Sequence, residues 1–454
     1  MTEPKKSIHG QWSSRWAFIL AATGSAVGLG NIWKFPYITG ENGGGAFVLI
    51  YLLCVLLIGL PIMMAEALLG RRGRQSPINT MADLADEAGA DPKWHYVGWL
   101  GVIAGFLILS YYSVIAGWGL AYVLKALLGQ FGGRDAAAIE TLFADFTSDH
   151  LQVGFWHSVF IAMTLWVVAK GVAGGLEKAV RLLMPGLFVL LLLLVGYAMT
   201  SGGYQQGLTF LFSPDFSKIT GASILTAMGH AFFTLSLGMG AIMVYGSYLP
   251  KDISIGRTSL LIAGADTAVA LLAGIAIFPI VFANGLQPET GPGLIFQTLP
   301  IAFGSMTGGW LFGVLFFVLL VFAAWSSAIS LIEPLVAWLV ENLRWSRLKA
   351  CVAAGGTAWL VGLGTVFSFN LGEEVTLFGL NWFELMDYLT ANLMLPIGGF
   401  CVAVFAGWIM HQQHSQDELA LHPPVYYSLW QIAIRYIAPA SVFVVFLHVV
   451  GVLG

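Results

Sequence analysis

Eleven long apolar runs constrain this chain more than any other feature of its sequence. Each contains about 20 residues, the length that an α-helix needs to cross the hydrocarbon core of a bilayer. They are centred near residues 28, 56, 111, 161, 190, 235, 268, 322, 360, 397 and 442. Only 10% of the residues are charged, against about 25% in soluble domains. The sequence therefore predicts an all-α membrane protein of about eleven transmembrane helices, forming one domain over residues 1–454.

The basic residues are distributed unevenly between the two faces that these spans define. Sixteen of the 20 lysines and arginines precede the first span or lie in loops of that same face. Cytoplasmic loops are enriched in lysine and arginine. We therefore expect a plasma (inner) membrane protein whose N-terminus is cytoplasmic and whose C-terminus, after an odd number of spans, is outside. The formal net charge of −4 gives no indication of a nucleic-acid partner.

Two of the spans are interrupted in the middle by residues that suit neither a helix nor lipid. The first contains "ATGSAVGLGNIWKFPY", residues 22–37, and the sixth contains "GHAFFTLSLGMGAIMVYGSYLP", residues 229–250. Glycine weakens a helix, and polar side chains are costly in hydrocarbon. We expect both spans to be broken helices. Their offset of five spans reverses the direction of crossing, which predicts an inverted repeat of residues 15–200 (spans 1–5) and 220–411 (spans 6–10), followed by an eleventh helix over 430–453.

A broken helix can bind a cation and a carboxylate at the same place. The unwound segment presents backbone carbonyls, which suit a hard cation such as sodium, and these groups must find partners inside the membrane. The helix that restarts after the break presents free amides and a positive dipole end, which suit a carboxylate. This arrangement predicts cation-coupled uptake of an amino acid.

Five segments of the chain carry a resemblance to a known family. They are "SAVGLGNIWKFPY", "ENGGGAF", "FFTLSLGMGAI", "FAAWSSAISLIEP" and "LMDYLTANLML". Together they resemble the neurotransmitter:sodium symporter family, especially its bacterial amino acid transporters of the eleven-helix type, over about residues 10 to 450. The resemblance implies sodium symport by alternating access, with an amino acid and sodium as ligands and the lipid bilayer as surroundings. The family's members are not enzymes.

The resemblance implies three groups of functional residues. The substrate pocket would be formed by Ser25, Ala26, Leu29, Gly30, Ile108, Tyr112, Phe233, Thr234, Ser236, Met239, Ser327 and Leu331. A first sodium site would use Ala26, Asn31, Thr234 and Asp266, and a second would use Gly24, Val27, Ala323, Ser326 and Ser327. The gates would be Lys34, Asp387, Phe233 and His230 on the outside and Trp12 and Glu341 on the inside. Glu66 would bond the unwound part of the sixth span.

Departures from the family pattern refine these expectations. Gly28 stands where amine-transporting relatives have an aspartate, so the substrate itself must supply the carboxylate, and we expect an amino acid. Asp266 stands where asparagine is usual, and Ala270 where chloride-dependent relatives have serine. A fixed carboxylate near sodium replaces a bound anion by Coulomb attraction, so we expect chloride-independent transport. Lys34 and His9 replace gate arginines, and a lysine cannot form the arginine fork.

The apolar wall of the pocket, with Ile108, Phe233, Met239 and Leu331, favours hydrophobic or aromatic L-amino acids without selecting one of them. Three alternatives remain at this level. A proton-coupled amino acid transporter could use the same scaffold, although the hydroxyls of Ser326 and Ser327 favour sodium. An amino-acid-gated channel would not need two occluding gates, and an amino-acid-gated receptor would need a ligand domain, which the sequence does not offer. An intramembrane enzyme is disfavoured because "GSAVGLG" follows no strand and cannot be a dinucleotide fingerprint.

Overall fold

The computed structural model describes residues 8–287 and 293–449. Its apolar runs fold into helices because a helix bonds its own backbone polar groups, which hydrocarbon cannot do. We name the eleven spans α1 to α11. Their bounds are α1 Arg15–Ala26 with Gly30–Glu41, α2 Gly45–Gly73, α3 Pro92–Leu127, α4 His150–Val168, α5 Val172–Met199, α6 Gly221–Thr234 with Ala241–Ser247, α7 Ile255–Ala283, α8 Gly309–Leu343, α9 Arg347–Phe367, α10 Trp382–Ile409 and α11 Pro424–Ile432 with Ala433–Ile437 and Ala438–Val449.

Length and hydropathy alone identify eight of these helices, within the described residues, as able to cross a membrane. The two parts of α1, bent by 48° at the break, make a ninth. The two parts of α6 are each too short to cross a bilayer of about 30 Å. Both interruptions predicted from glycine and polar residues are therefore present, one in α1 and one in α6.

The interrupted helices lie against the most buried part of the molecule. Among the eight unbroken spans of the described residues, α3 and α8 have the most buried apolar segments, and they pack against each other. The first part of α1 packs on α5, α7 and α8. Both breaks therefore face other helices instead of lipid, which is the condition under which irregular backbone is tolerated at membrane depth.

Short helices occupy several of the loops between the spans. They are Pro77–Glu87 after α2, Ala136–Ser148 after α3, Tyr204–Phe212 after α5, Leu294–Thr298 with Leu299–Ser305 before α8, and Gln412–Leu419 after α10. The helix Pro77–Glu87 packs on both α2 and α3. It lies where the N-terminal segment meets α8, and it contributes to the contacts at the predicted inner gate described below.

Candidate substrate and sodium sites

The break in α1 exposes backbone carbonyls toward α8. The first part of the helix ends at Ala26, and the chain resumes helical geometry at Gly30. The Ser327 hydroxyl of α8 lies 3.3 Å from the Gly24 carbonyl, 3.1 Å from the Ser25 carbonyl and 3.2 Å from the Val27 carbonyl. Several oxygen atoms thus converge on one point between the two helices, and this is the ligand type that a hard cation prefers.

The break in α6 depends on residues in left-handed backbone conformations. Ser236 has φ +55°, and Gly238 and Gly240 have φ +76° and +73°. Glycine adopts this region without strain, whereas serine does so rarely. The Gly238 amide donates to the Glu66 carboxylate at 2.7 Å, and the Ser236 hydroxyl donates to the Ser25 carbonyl at 2.9 Å. A residue of α2 and a residue of α1 therefore supply partners for the unwound segment.

Asp266 is the centre of the first candidate sodium site. Its side chain is fully buried, and its carboxylate accepts from the Asn31 amide at 2.7 Å and from the Thr234 hydroxyl at 3.0 Å. The Tyr51 hydroxyl lies 3.5 Å away. Among the described residues, no basic side chain forms a salt bridge with Asp266. A buried carboxylate without a basic partner is strongly destabilising, so a bound cation fits this site.

The second candidate sodium site lies where α1 approaches α8. Three of its predicted ligands are brought together, because Ser327 contacts the carbonyls of Gly24 and Val27. The Ser326 hydroxyl bonds carbonyls of its own helix, those of Phe322 at 3.1 Å and Ala323 at 3.0 Å. A Cβ atom on Gly24 would lie 3.2 Å from the Ser326 Cβ. The absence of a side chain at Gly24 therefore permits the close approach of the two helices.

A small cavity of about 20 Å³ lies between the two breaks. Ten of the twelve predicted pocket residues line it, together with Gly28; the ten are Ser25, Ala26, Gly30, Ile108, Tyr112, Phe233, Ser236, Met239, Ser327 and Leu331. The other two lie beside it. The Leu29 amide donates to the Tyr112 hydroxyl at 3.0 Å, and Thr234 bonds Asp266. A Cβ atom on Gly28 would lie only 2.4 Å from the Ser327 hydroxyl oxygen and 2.7 Å from that of Tyr112.

Three of the residues predicted for the outer gate contact one another beside the cavity. The Lys34 ammonium lies 3.4 Å from both carboxylate oxygens of Asp387 and 5.1 Å from the centre of the Phe233 ring. Beyond them is a larger cavity of about 320 Å³ lined by Tyr111, Phe383 and other residues of α1, α3 and α10. Lys34 therefore contacts both the acidic gate residue and the aromatic one.

His230 lies close to these residues without joining them by hydrogen bonds. Its ring is buried, and within the described residues neither nitrogen has a hydrogen-bond partner. The ring lies 6.0 Å from that of Phe35 and 5.4 Å from that of Tyr51. In this structure His230 packs as an aromatic side chain.

The residues predicted for the inner gate lie where the N-terminal segment contacts α6 and α8. Trp12 is buried, and its indole nitrogen donates to the Tyr245 carbonyl at 3.1 Å. His9 lies 3.0 Å from Glu341, whose carboxylate also accepts from the Ser76 amide at 2.8 Å and the Asn79 side chain at 2.8 Å. His9 thus contacts the acidic residue although it replaces the usual arginine.

Three features of the site were not predicted from the sequence. Tyr51 lies beside Asp266, and Tyr111 donates to Asp387 at 3.2 Å. The Ser25 hydroxyl donates to that of Ser330 at 2.7 Å. Tyr111 could have been suspected, because it precedes the predicted Tyr112. Nothing in the sequence distinguishes Ser330 from other serines of membrane helices, which commonly bond their own backbone.

Comparison with known proteins gives concordant results. A model of the "Sodium:neurotransmitter symporter family" matches residues 9–136 and 130–453. The uncharacterized sodium-dependent transporter YhdH of Bacillus subtilis (strain 168) is 39% identical over 447 residues, which cover 98% of each chain. An uncharacterized sodium-dependent transporter of Haemophilus influenzae is 33% identical, over 96% of this chain and 97% of that one. The crystal structure of MhsT in complex with L-phenylalanine superposes with a TM-score of 0.91 and 45% identity, over 97% of this chain and 99% of that one.

Fold, site and comparisons define a class of protein: an all-α secondary transporter with paired broken helices. Within that class, the chain belongs to the sodium:neurotransmitter symporter family and is a sodium-dependent transporter. The predicted fold class is confirmed. The predictions that the chain resembles this family and is not an enzyme are also confirmed.

Proposed function

We propose that this chain takes up hydrophobic or aromatic L-amino acids together with sodium, by alternating access and independently of chloride. The observation that carries the proposal is the arrangement around the α1 break. There the Leu29 amide bonds the Tyr112 hydroxyl, and Asn31, two residues later, bonds buried Asp266. A zwitterion with an apolar side chain suits this combination, because the lining includes Ile108 and Met239. The relative MhsT was crystallised with L-phenylalanine.

The proposed site has two sodium positions. The first is at Ala26, Asn31, Thr234 and Asp266, and the second is at Gly24, Val27, Ala323, Ser326 and Ser327. In support, each position has buried oxygen atoms from two or three different helices. Because these helices include α1 on one side and α7 or α8 on the other, bound sodium would stabilise the arrangement that completes the amino acid site.

The proposed transport cycle is based on the two inferred repeats, residues 15–200 and 220–411. The outer gate consists of Lys34, Asp387 and Phe233, and the inner gate of Trp12, His9 and Glu341. Substrate and sodium enter while the outer gate is open and leave after the inner gate opens. The broken helices α1 and α6 contribute to the site and to the outer gate, and Tyr245 of α6 accepts the bond from Trp12 at the inner gate. Movement of these helices would therefore change access from one face to the other.

The decisive experiment is thermal unfolding of the purified protein with each of the twenty amino acids, in sodium chloride and in choline chloride. We expect stabilisation by hydrophobic and aromatic L-amino acids in sodium only. No sodium-dependent response to any amino acid would overturn the proposal. Uptake into proteoliposomes with gluconate in place of chloride tests the chloride prediction, and we expect unchanged rates.

Uptake in sodium-free buffer under an inward proton gradient tests the second candidate function, proton coupling. The uncompensated carboxylate of Asp266 is the observation that keeps this candidate open, because a carboxylate can bind either a proton or sodium. We expect no uptake under these conditions. Uptake driven by protons alone would mean that this chain couples transport to protons and not to sodium.

A further inference from the structure

A short chain of serine hydroxyls crosses from α1 to α8 beside the second proposed sodium position. The Ser25 hydroxyl donates to the Ser330 hydroxyl at 2.7 Å, and the Ser330 hydroxyl donates to the Ser327 carbonyl at 2.7 Å. Both serines are buried, at 2% and 0% exposure. Ser330 therefore uses its hydroxyl both as an acceptor from α1 and as a donor within α8.

Ser25 is the point where three helices meet. Its hydroxyl reaches α8 through Ser330, while its carbonyl accepts from Ser236 of α6 at 2.9 Å and from Ser327 of α8 at 3.1 Å. Ser25 follows Gly24 directly and lies two residues before Val27, and the carbonyls of those two residues face Ser327. Fixing Ser25 against α8 therefore fixes the carbonyls on both sides of it.

We propose that Ser330 is a positioning residue for sodium: its bond to Ser25 holds the α1 break in the register that the second sodium position requires. The inference rests on the proposed function and deepens it. Ser330 does not line the cavity between the breaks and is not among the proposed sodium ligands. Its bond to Ser25 joins α1 to α8 without using the side chain of a proposed sodium ligand, and it is formed in this structure without an ion. A site organised before binding loses less entropy when the ion arrives.

The alternative is that Ser330 only bonds its own helix, as serines in membrane helices commonly do. In that case the hydroxyl contributes nothing to sodium binding, and its removal resembles the removal of any back-bonded serine. Ser113 of α3 is a matched control. It is fully buried, and its hydroxyl donates to the Leu109 carbonyl of its own helix at 2.7 Å.

The test is a sodium chloride titration of the full-length protein in detergent, with choline chloride at constant ionic strength and thermal unfolding as the readout. We expect Ser330→Ala to raise the sodium concentration for half-maximal stabilisation by about three- to tenfold, which corresponds to the loss of one buried hydrogen bond. Its melting temperature without sodium should not exceed that of Ser113→Ala, because Ser330→Ala also loses the bond between α1 and α8. The amino acid KM at saturating sodium should stay at the wild-type value.

A double-mutant cycle with Ser25→Ala separates the bond from effects of each side chain alone. Ser25→Ala removes the same bond from the α1 side, and it keeps the test available should Ser330→Ala fail to fold. The double variant should shift the sodium midpoint no further than either single variant. Additive shifts, or a Ser330→Ala midpoint equal to that of Ser113→Ala, would overturn the inference while leaving sodium coupling intact. No sodium response in the wild-type protein would overturn the proposed function as well.

Discussion

At the scale of single residues, Gly28 is the position that most directly relates the sequence to a substrate class. Its missing side chain leaves the Ser327 and Tyr112 hydroxyls close to the backbone of the α1 break. A side chain at this position would compete with a substrate carboxylate for the same space. The substitution of Gly28 therefore provides the first test at this scale.

We predict that Gly28→Asp lowers amino acid affinity by more than about tenfold, because it introduces both a clash and a like charge beside the substrate carboxylate. The measurement is the KM of uptake at saturating sodium. Gly229→Ala is the control, since a Cβ atom there has nothing within 4 Å. A Gly28→Asp variant with the wild-type KM would contradict our account of this position.

Asp266 carries the second prediction at the residue scale. Asp266→Asn keeps most of the hydrogen-bonding capacity but removes the charge. An opposite charge about 4 Å away is worth about 4 kcal/mol at an effective dielectric constant of 20. We therefore expect the half-saturating sodium concentration for uptake to rise by tenfold or more. Tyr51→Phe, which removes only the 3.5 Å contact, should change it by less than about twofold. Equal sodium dependence in Asp266→Asn and the wild type would count against the first sodium position.

At the scale of structural elements, the breaks in α1 and α6 were predictable, but the side chains that contact them from neighbouring helices were not. Glycines at 24, 28 and 30 and at 238 and 240 indicated where α1 and α6 lose helical geometry, because glycine weakens helices and permits positive φ. The pairing of Ser25 with Ser330 was not predictable, since a serine in an apolar run gives no sign of which neighbouring helix it faces. The same holds for Tyr51, which reaches Asp266 from α2.

The α6 break provides a prediction about stability. The Glu66 carboxylate of α2 accepts the Gly238 amide at 2.7 Å. Glu66→Gln keeps an acceptor at this point, whereas Glu66→Leu leaves a buried amide without a partner. We expect Glu66→Leu to lower the free energy of unfolding by about 1–3 kcal/mol relative to Glu66→Gln. Thermal unfolding in detergent is the measurement, and equal melting temperatures for the two variants would contradict the supporting role of α2.

At the scale of the whole molecule, the residues predicted as gates are in contact on both sides of the candidate site. Lys34 contacts Asp387 and Phe233 at the predicted outer gate. At the predicted inner gate, Trp12 bonds Tyr245 and His9 contacts Glu341. The two predicted gates differ in chemistry. The outer one has the Lys34 ammonium over the Phe233 ring, and the inner one has the buried indole of Trp12.

The proposed orientation can be tested across the whole chain. The basic residues predict a cytoplasmic N-terminus and an external C-terminus. Alkaline phosphatase fused after residue 454 should be active, and the same enzyme fused after residue 345, between α8 and α9, should be inactive. A green fluorescent protein at the same two points should give the opposite result and serves as the matched control. Activity of the phosphatase after residue 345 would reverse the assignment.

The position of Lys34 has a consequence for the timing of the transport cycle. One ammonium group contacts the Asp387 carboxylate and lies over the Phe233 ring. The two contacts share a donor and a flexible four-carbon stem, so withdrawal of that stem releases both at once. An amino acid that displaces the ammonium would therefore meet a single kinetic barrier on its way in. A time course of outer-gate opening would then fit a single exponential.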